Sequence, residues 1–157
     1  MIGERPAPAL SRWIDPDLVT DRLQGRSGEE VLRSLAETLE GRLGTGDREA
    51  IFRSLREREL LGSTAVGRGF AVPHCRLQSI ESPCVLVARS AEEIDFGAPD
   101  GVPVRHFFAV AAPASSTSLH LTILSAIARW LRDADRSSRL ARAADRDGML
   151  AVLQEGG

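Results

Sequence analysis

The chain carries the run Gly-Arg-Gly-Phe-Ala-Val-Pro-His at residues 67–74. It indicates a glycine-bearing turn and then a short apolar strand, which we place at residues 69–73, with His74 where that strand ends. Proline fixes φ and has no N–H group, so Val72-Pro73 is a natural place for a strand to stop pairing. A histidine there is expected at a sheet edge with its ring partly exposed. Because neutral imidazole is a competent nucleophile near pH 7, His74 is the first candidate for chemistry.

Helical patterns precede this run. Residues 13–23 suggest a turn and a short extended segment, and Ser27 then opens a helix in capping-box form, with Glu30 reaching back to the Ser27 N–H. Apolar residues follow at helical spacing; they are Val31, Leu32, Leu35, Ala36, Leu39 and Leu43. Asp47 is expected to cap a second helix that runs to about Arg58.

Strand patterns and then further helices follow the second predicted helix. Residues 84–88 and 102–112 are apolar enough to be buried strands, and a helix is expected from about Ser116 to Leu131, with shorter ones at 135–144 and 145–154. The order predicts an α/β fold: a single-domain sandwich with a central mixed β-sheet flanked by helices. We expect a disordered lead-in at residues 1–10 and one domain at 11–157.

Composition excludes several classes of function. A chain of 157 residues fits one domain, and its net charge of -2 gives no argument for nucleic acid or a membrane surface. All 20 basic residues are arginine, which excludes Schiff-base chemistry and a P-loop lysine. No stretch approaches a membrane span or a signal peptide. Together with only two cysteines, Cys75 and Cys84, this predicts a cytoplasmic protein without membrane insertion.

Two further residues are candidates for a site with His74. His120 lies on the predicted inward stripe of its helix, one turn from the N-terminus, where free N–H groups and the helix dipole favour anions. A core histidine bonded to a backbone carbonyl would fit the same position. Arg58 ends the helix before the first strand and is of the type that grips phosphate in bidentate fashion, although a solvated terminal charge would fit as well.

Three motifs in register carry a family resemblance. They are Arg-Glu-Arg-Glu-Leu-Leu-Gly-Ser-Thr (56–64), Gly-Phe-Ala-Val-Pro-His (69–74) and His-Leu-x-x-Leu-x-x-Ile-Ala-x-x-Leu (120–131). Over roughly residues 10–155 the chain resembles the IIA component of the bacterial phosphotransferase system, in the mannitol/fructose branch that includes the nitrogen-regulatory IIA proteins. The resemblance implies that His74 is phosphorylated and that His120 and Arg58 assist it.

This resemblance implies a phosphocarrier without a metal or other cofactor. The donor would be an HPr-like phosphohistidine protein, and the recipient a IIB domain or a regulatory target protein. Both a nitrogen-type regulatory role and a role in sugar uptake stay open, as does a IIA-like binding module that controls a partner by contact without transferring phosphate. Phosphoryl transfer needs no metal if the protein supplies enough positive charge and donors to the equatorial oxygens.

Two departures from the family pattern stand out. Cys75 follows the candidate histidine where glycine is common, and we expect its side chain beside the docking surface. His106 occupies a usually apolar position, where we expect a satisfied, buried residue. A zinc site built from His74, Cys75, Cys84, His106 and His120, and a Cys75–His120 hydrolase, are the alternative chemistries; neither has its usual spacing or motif. Phe70 and Leu77 are candidates for an apolar docking rim.

Overall fold

Six strands form one mixed sheet in the computed structural model, which describes residues 8–156. They are β1 (Ile14–Leu23), β2 (Ala65–Gly67), β3 (Phe70–Ala71), β4 (His74–Leu77), β5 (Cys84–Ile94) and β6 (Val104–Pro113). The order is β1-β5-β6-β3-β2, and β4 also pairs with β6. β5 and β6 are antiparallel, whereas β3 and β4 both run parallel to β6. The predicted α/β sandwich with a central mixed sheet is confirmed.

Helices cover both faces of this sheet. They are α1 (Gly28–Leu43), α2 (Arg48–Leu60), α3 (Thr117–Arg132), α4 (Ala134–Arg142) and α5 (Arg146–Leu153). On one face α1 and α2 pack on a cluster that includes Phe107, and on the other α3, α4 and α5 pack on a cluster that includes Phe108. Neighbouring residues of a strand point to opposite faces, so β6 supplies both cores. None of the helices within residues 8–156 is long and apolar enough to cross a membrane.

The predicted helix starts are confirmed, with one difference in detail. The hydroxyl of Ser27 accepts from the N–H of Glu30 at 3.2 Å, and the Asp47 side chain accepts from the N–H of Ala50 at 3.0 Å. The Glu30 carboxylate accepts from the N–H of Arg26 and from the Ser27 hydroxyl, not from the expected Ser27 N–H. The Glu30 carboxylate therefore binds the backbone at Arg26, one residue before the predicted position at Ser27.

The strands differ most from the prediction at residues 69–77. β3 ends at Ala71, and His74 begins β4 instead of ending a strand. The expectation that His74 ends a strand is wrong because Pro73 interrupts pairing for only two residues. The carbonyl of Pro73 still accepts from the N–H of Val110 at 2.9 Å, and pairing with β6 resumes at once.

The N-terminal boundary also differs. Residues 1–7 of the expected disordered lead-in lie outside the described residues. Leu10, which we placed in that lead-in, begins a 3-10 helix (Leu10–Trp13) and is 2% exposed, packed in the core with α3. The ordered fold therefore begins before residue 11, because the apolar Leu10 has a place in the core.

Candidate active site

His74 is held at the edge of the sheet by bonds to both ring nitrogens. It begins β4 and is half-buried. Its Nδ1 lies 2.8 Å from the carbonyl oxygen of Val72, and because a carbonyl only accepts, Nδ1 carries the ring proton. Nε2 therefore has a lone pair, and it accepts from Nε of Arg58 at 3.2 Å. The site has a defined tautomer with Nε2 as its basic atom.

Arg58 reaches the histidine from the last turn of α2. Its Nη1 donates to the carbonyl oxygen of Gly62 at 2.8 Å, which anchors the guanidinium in the turn that follows the helix. Gly62 has φ 151°, a conformation that residues with a side chain rarely adopt. The turn thus folds its carbonyl back toward α2 and leaves the planar fork of Arg58 aimed at His74.

His120 completes the group from the first turns of α3. Its ring centroid lies 5.2 Å from that of His74, and the residue is 6% exposed. Its Nδ1 is buried and meets no hydrogen-bond partner among residues 8–156. A buried N–H without a partner is costlier than a buried lone pair, so the neutral ring is expected to carry its proton on Nε2. Among residues 8–156 no backbone carbonyl bonds to this buried nitrogen, which argues against the alternative of a core histidine held by a carbonyl.

The three predicted site residues line one open depression of about 400 Å³. Its wall also includes Ser54, Cys75, Arg76, Ala114, Thr117 and Leu121. A second depression of about 380 Å³ lies beside it and shares Arg58 and His74. His74 therefore stands between two shallow surfaces, where another protein could approach its ring.

Both histidines of the site favour the neutral form. Burial lowers the pKa of His74, and the charges of Arg58 and Arg76 lower it further against the opposing bond to Val72. Burial, and then the charges of His74 and Arg76, lower the pKa of His120 to about 4. At neutral pH the ring of His74 is thus uncharged, and the fixed positive charge of the site comes from arginine.

Arg76 is a site residue that the sequence reasoning missed. It lies two residues after His74 on β4, so strand alternation places both on one face. Its Nη1 donates to the hydroxyl of Thr117 at 2.7 Å, at the first residue of α3. The alternation was the signal that could have found it, but no β4 was predicted. Arg76, which is exposed, adds a second cation beside the two rings.

Neither cysteine is suited to act as a thiolate nucleophile, because burial raises the pKa of both thiols. Cys75 is 3% exposed and packs in the core with α1 and α2, but it also lines the depression at His74, so its expected place beside the docking surface stays a prediction. Burial raises the pKa of its thiol to about 12, which removes the thiolate that a hydrolase would need. Cys75 and Cys84 flank Ala111 from the two strands beside β6. At strand spacings of 4.8 Å they stand roughly 10 Å apart, too far for a disulfide.

The other candidate residues are also accounted for. His106 is 5% exposed and accepts from Nε of Arg89 at 3.0 Å, which confirms a satisfied, buried residue. Within residues 8–156 no three His, Cys, Asp or Glu side chains are grouped to hold a metal ion. Phe70 is 3% exposed and so cannot form the expected docking rim. Leu77 is half-buried and lines neither depression. The large exposed apolar residues along the two depressions are instead Leu121 and Val66.

Comparison with known proteins identifies relatives along nearly the whole chain. Residues 12–156 match the family model described as phosphoenolpyruvate-dependent sugar phosphotransferase system, EIIA 2. A nitrogen regulatory protein of Pseudomonas aeruginosa is 35% identical over 144 residues, 92% of this chain and 94% of that protein. A PTS system fructose-specific EIIA component of Haloferax volcanii is 39% identical over 109 residues, 69% of this chain and 71% of that protein.

A solved structure has the same fold. The nitrogen regulatory protein IIA-Ntr of Neisseria meningitidis superposes with a TM-score of 0.83 at 26% identity, over 92% of this chain and 98% of that one. Relatives with regulatory names and relatives with sugar-system names thus occur together around this sequence.

Proposed function

Because the chain belongs to the EIIA 2 family of the phosphoenolpyruvate-dependent sugar phosphotransferase system, we propose that it is a phosphocarrier whose His74 accepts a phosphoryl group and passes it on. The observation that carries this proposal is the protonation pattern of His74. With Nδ1–H bonded to the carbonyl of Val72, the nucleophilic lone pair on Nε2 lies on the side of the ring that faces Arg58.

The proposed step is an in-line displacement at phosphorus. The lone pair of Nε2 forms the new N–P bond, and the N–P bond of the donor's phosphohistidine breaks with its electron pair returning to the donor ring. The ring of His74 keeps its Nδ1 proton and gains positive charge, which the carbonyl of Val72 stabilises. Reversal of the same step onto a recipient releases the group.

The side chains around His74 are suited to hold the transferred phosphoryl group. Arg58 can exchange its bond to Nε2 for bonds to phosphate oxygens, to which its planar fork is matched. His120 can donate from Nε2 to the same group, and the N-terminus of α3 adds a favourable dipole. Two cations, Arg58 and Arg76, supply the charge that a metal supplies in other phosphoryl transfer sites.

The partners we propose are proteins. Members of this family work with phosphocarrier donors and IIB domains. We propose an HPr-like phosphohistidine protein as the donor, and a IIB domain or a regulatory target as the recipient, with a nitrogen-type regulatory or a sugar-uptake role. The open depressions at His74 support protein partners because the phosphorus atom must reach the ring in line from another folded surface. We also propose that the exchange occurs in the cytoplasm, where the unpaired thiols of Cys75 and Cys84 would stay reduced.

Labelling with an HPr-like donor tests the proposal. The wild-type protein should gain one phosphoryl group that is labile in acid and stable in base. His74→Ala should abolish the label, whereas the control His106→Gln, which removes a histidine outside the site, should keep it. Labelling of His74→Ala, or label on a serine or cysteine, would sink the assignment. Failure of the wild-type protein to accept phosphate from any such donor would favour the module that acts by contact alone.

A further inference from the structure

Glu59 is an acidic residue next to Arg58 in the chain, and it does not line the depression that holds His74 and His120. It follows Arg58 in α2, and its carboxylate is directed at Thr64 across the turn that joins α2 to β2. Oε2 accepts from the N–H of Thr64 at 3.0 Å, and Oε1 accepts from the Thr64 hydroxyl. Thr64 is 6% exposed, so both bonds lie largely out of water.

The turn fixed by these bonds contacts both nitrogens of His74 indirectly. On one side the carbonyl of Gly62 accepts from Nη1 of Arg58, whose Nε donates to Nε2 of His74. On the other side the carbonyl of Thr64 accepts from the N–H of Val72 at 3.0 Å. The carbonyl of Val72 in turn accepts a hydrogen bond from Nδ1–H of His74, with 2.8 Å between nitrogen and oxygen. Residues 62–64 therefore hold the ring from two directions.

Other contacts of the turn do not replace Glu59. The hydroxyl of Ser63 donates to the carbonyl of Phe96 at 2.7 Å and fixes the outer side of the turn. Gly62 is joined to α2 by its N–H, which donates to the carbonyl of Glu59, and by its carbonyl, which accepts from Arg58. At Thr64 the bonds back to that helix are the two to the Glu59 carboxylate. Burial raises the pKa of Glu59, whereas the two bonds to Thr64 lower it. These bonds therefore offset part of the cost of burying the carboxylate.

We propose that Glu59 is a positioning residue for the phosphoryl transfer: by clamping Thr64, it fixes the tautomer of His74 and the approach of Arg58. The inference rests on the proposed role of His74. It assigns Glu59 no contact with the phosphoryl group, since an anion there would repel it.

The test is a pair of near-isosteric variants with two readouts. Glu59→Gln keeps the shape but offers a single oxygen acceptor, and Thr64→Val removes the hydroxyl. Each should slow phosphoryl acceptance about tenfold or more, as small misplacements of reacting groups do. Thr64→Ser, which retains the hydroxyl, should stay near wild type. Glu57→Gln is the matched control, because Glu57 is an exposed carboxylate in the same helical turn.

The second readout is the ring of His74 itself. Long-range proton–nitrogen NMR spectra of the unphosphorylated protein should show the single Nδ1–H tautomer in wild type and in Glu57→Gln. Glu59→Gln and Thr64→Val should show a mixture of tautomers, while the rest of the amide spectrum stays folded. The double variant should be no slower than the slower single variant, because both remove the same clamp.

The outcomes separate this inference from the proposed function. If Glu59→Gln and Thr64→Val fold but keep the wild-type tautomer and rate, the positioning role is overturned. A loss of stability with an unchanged tautomer would likewise overturn it and reduce Glu59 to a structural role. If His74→Ala still accepts the label, the proposed function fails instead, and the tautomer spectra still test the clamp because they need no transfer.

Discussion

Arg58 donates a hydrogen bond from its Nε to Nε2 of His74 at 3.2 Å. This bond uses the lone pair with which His74 is proposed to attack phosphorus. The proposed nucleophile is therefore engaged in the free protein, and Arg58 must give up this bond before Nε2 can attack phosphorus. Its second anchor, the carbonyl of Gly62, leaves it close enough to rebind once phosphate is present.

Removal of Arg58 should separate these two effects. In Arg58→Ala the pKa of His74 should rise, because a neighbouring positive charge that lowers it is gone. Phosphoryl transfer should nevertheless slow by about 10²-fold, since the phosphate loses its bidentate partner. Arg58→Lys should also be slow because lysine lacks the fork. NMR titration and rapid-quench kinetics give the two values, with the exposed Arg53→Ala as control. Faster transfer in Arg58→Ala would mean that Arg58 only blocks the histidine.

His120 should matter to the rate and not to the place of labelling. His120→Ala should still be labelled at His74 but about 10²–10⁴-fold more slowly, the usual contribution of a positioned acid–base group. His120→Gln keeps an N–H donor and should recover part of the loss. In the phosphorylated wild type, the pKa of His120 should rise from about 4, because the phosphoryl charge opposes the effect of Arg76. An unchanged His120 pKa after phosphorylation would place the group elsewhere.

His106 should make the stability of the protein depend on pH. Burial, then the charges of Arg89 and Arg105, lower its pKa from 6.5 to about 4. Between those values the unfolded chain binds a proton that the folded protein does not, so the free energy of unfolding falls as the pH falls. The loss from this residue is on the order of 3 kcal/mol by pH 4.

The variant His106→Gln isolates that dependence. Glutamine can still accept from Arg89 but does not titrate, so its urea unfolding curves between pH 7 and pH 4 should show a shallower decline than wild type. The comparison is a difference of slopes because His74 and His120, with lowered pKa values, contribute in the same direction. Parallel slopes in the two proteins would contradict the assignment.

Cys75 should affect stability without affecting transfer. Cys75→Ala removes a buried sulfur from the core and should lower the free energy of unfolding by about 1 kcal/mol. The rate of phosphoryl acceptance should stay within about twofold of wild type, since the thiol is no part of the proposed step. Unfolding and labelling assays on the same sample measure both. Loss of labelling in this variant would restore the cysteine to the chemistry.

The helices could be predicted closely because their signals are local. Ser27 and Asp47 cap their helices through bonds to residues three positions away, and such pairs can be seen in the sequence. The buried face of α3 could be predicted less accurately. A stripe counted from His120 at helical spacing includes Ala128, which is exposed, and omits Ala126 and Trp130, which are buried. A stripe read at fixed spacing does not reveal how far a helix is turned toward the sheet.

The strands were predicted less well because their signals depend on neighbours. β1 contains Asp15, Pro16 and Asp17, which resemble a turn; the strand persists because it lies at the edge of the sheet, where proline is tolerated. β4 was missed because its four residues carry two polar side chains. Residue types suggested that His74 and His120 work together, but only the pairing of β4 with β6 brings their rings to one place.

The two-residue break between β3 and β4 has a chemical consequence. Val72 lies in the break, and its carbonyl accepts a hydrogen bond from Nδ1–H of His74. Nδ1 therefore has no free lone pair with which to attack phosphorus. For the proposed phosphorylation of His74, the backbone would then set the regiochemistry: only the tele isomer, with phosphorus on Nε2, is expected from any donor. An irregularity at a sheet edge would thus ensure that every recipient meets the same compound in the same orientation.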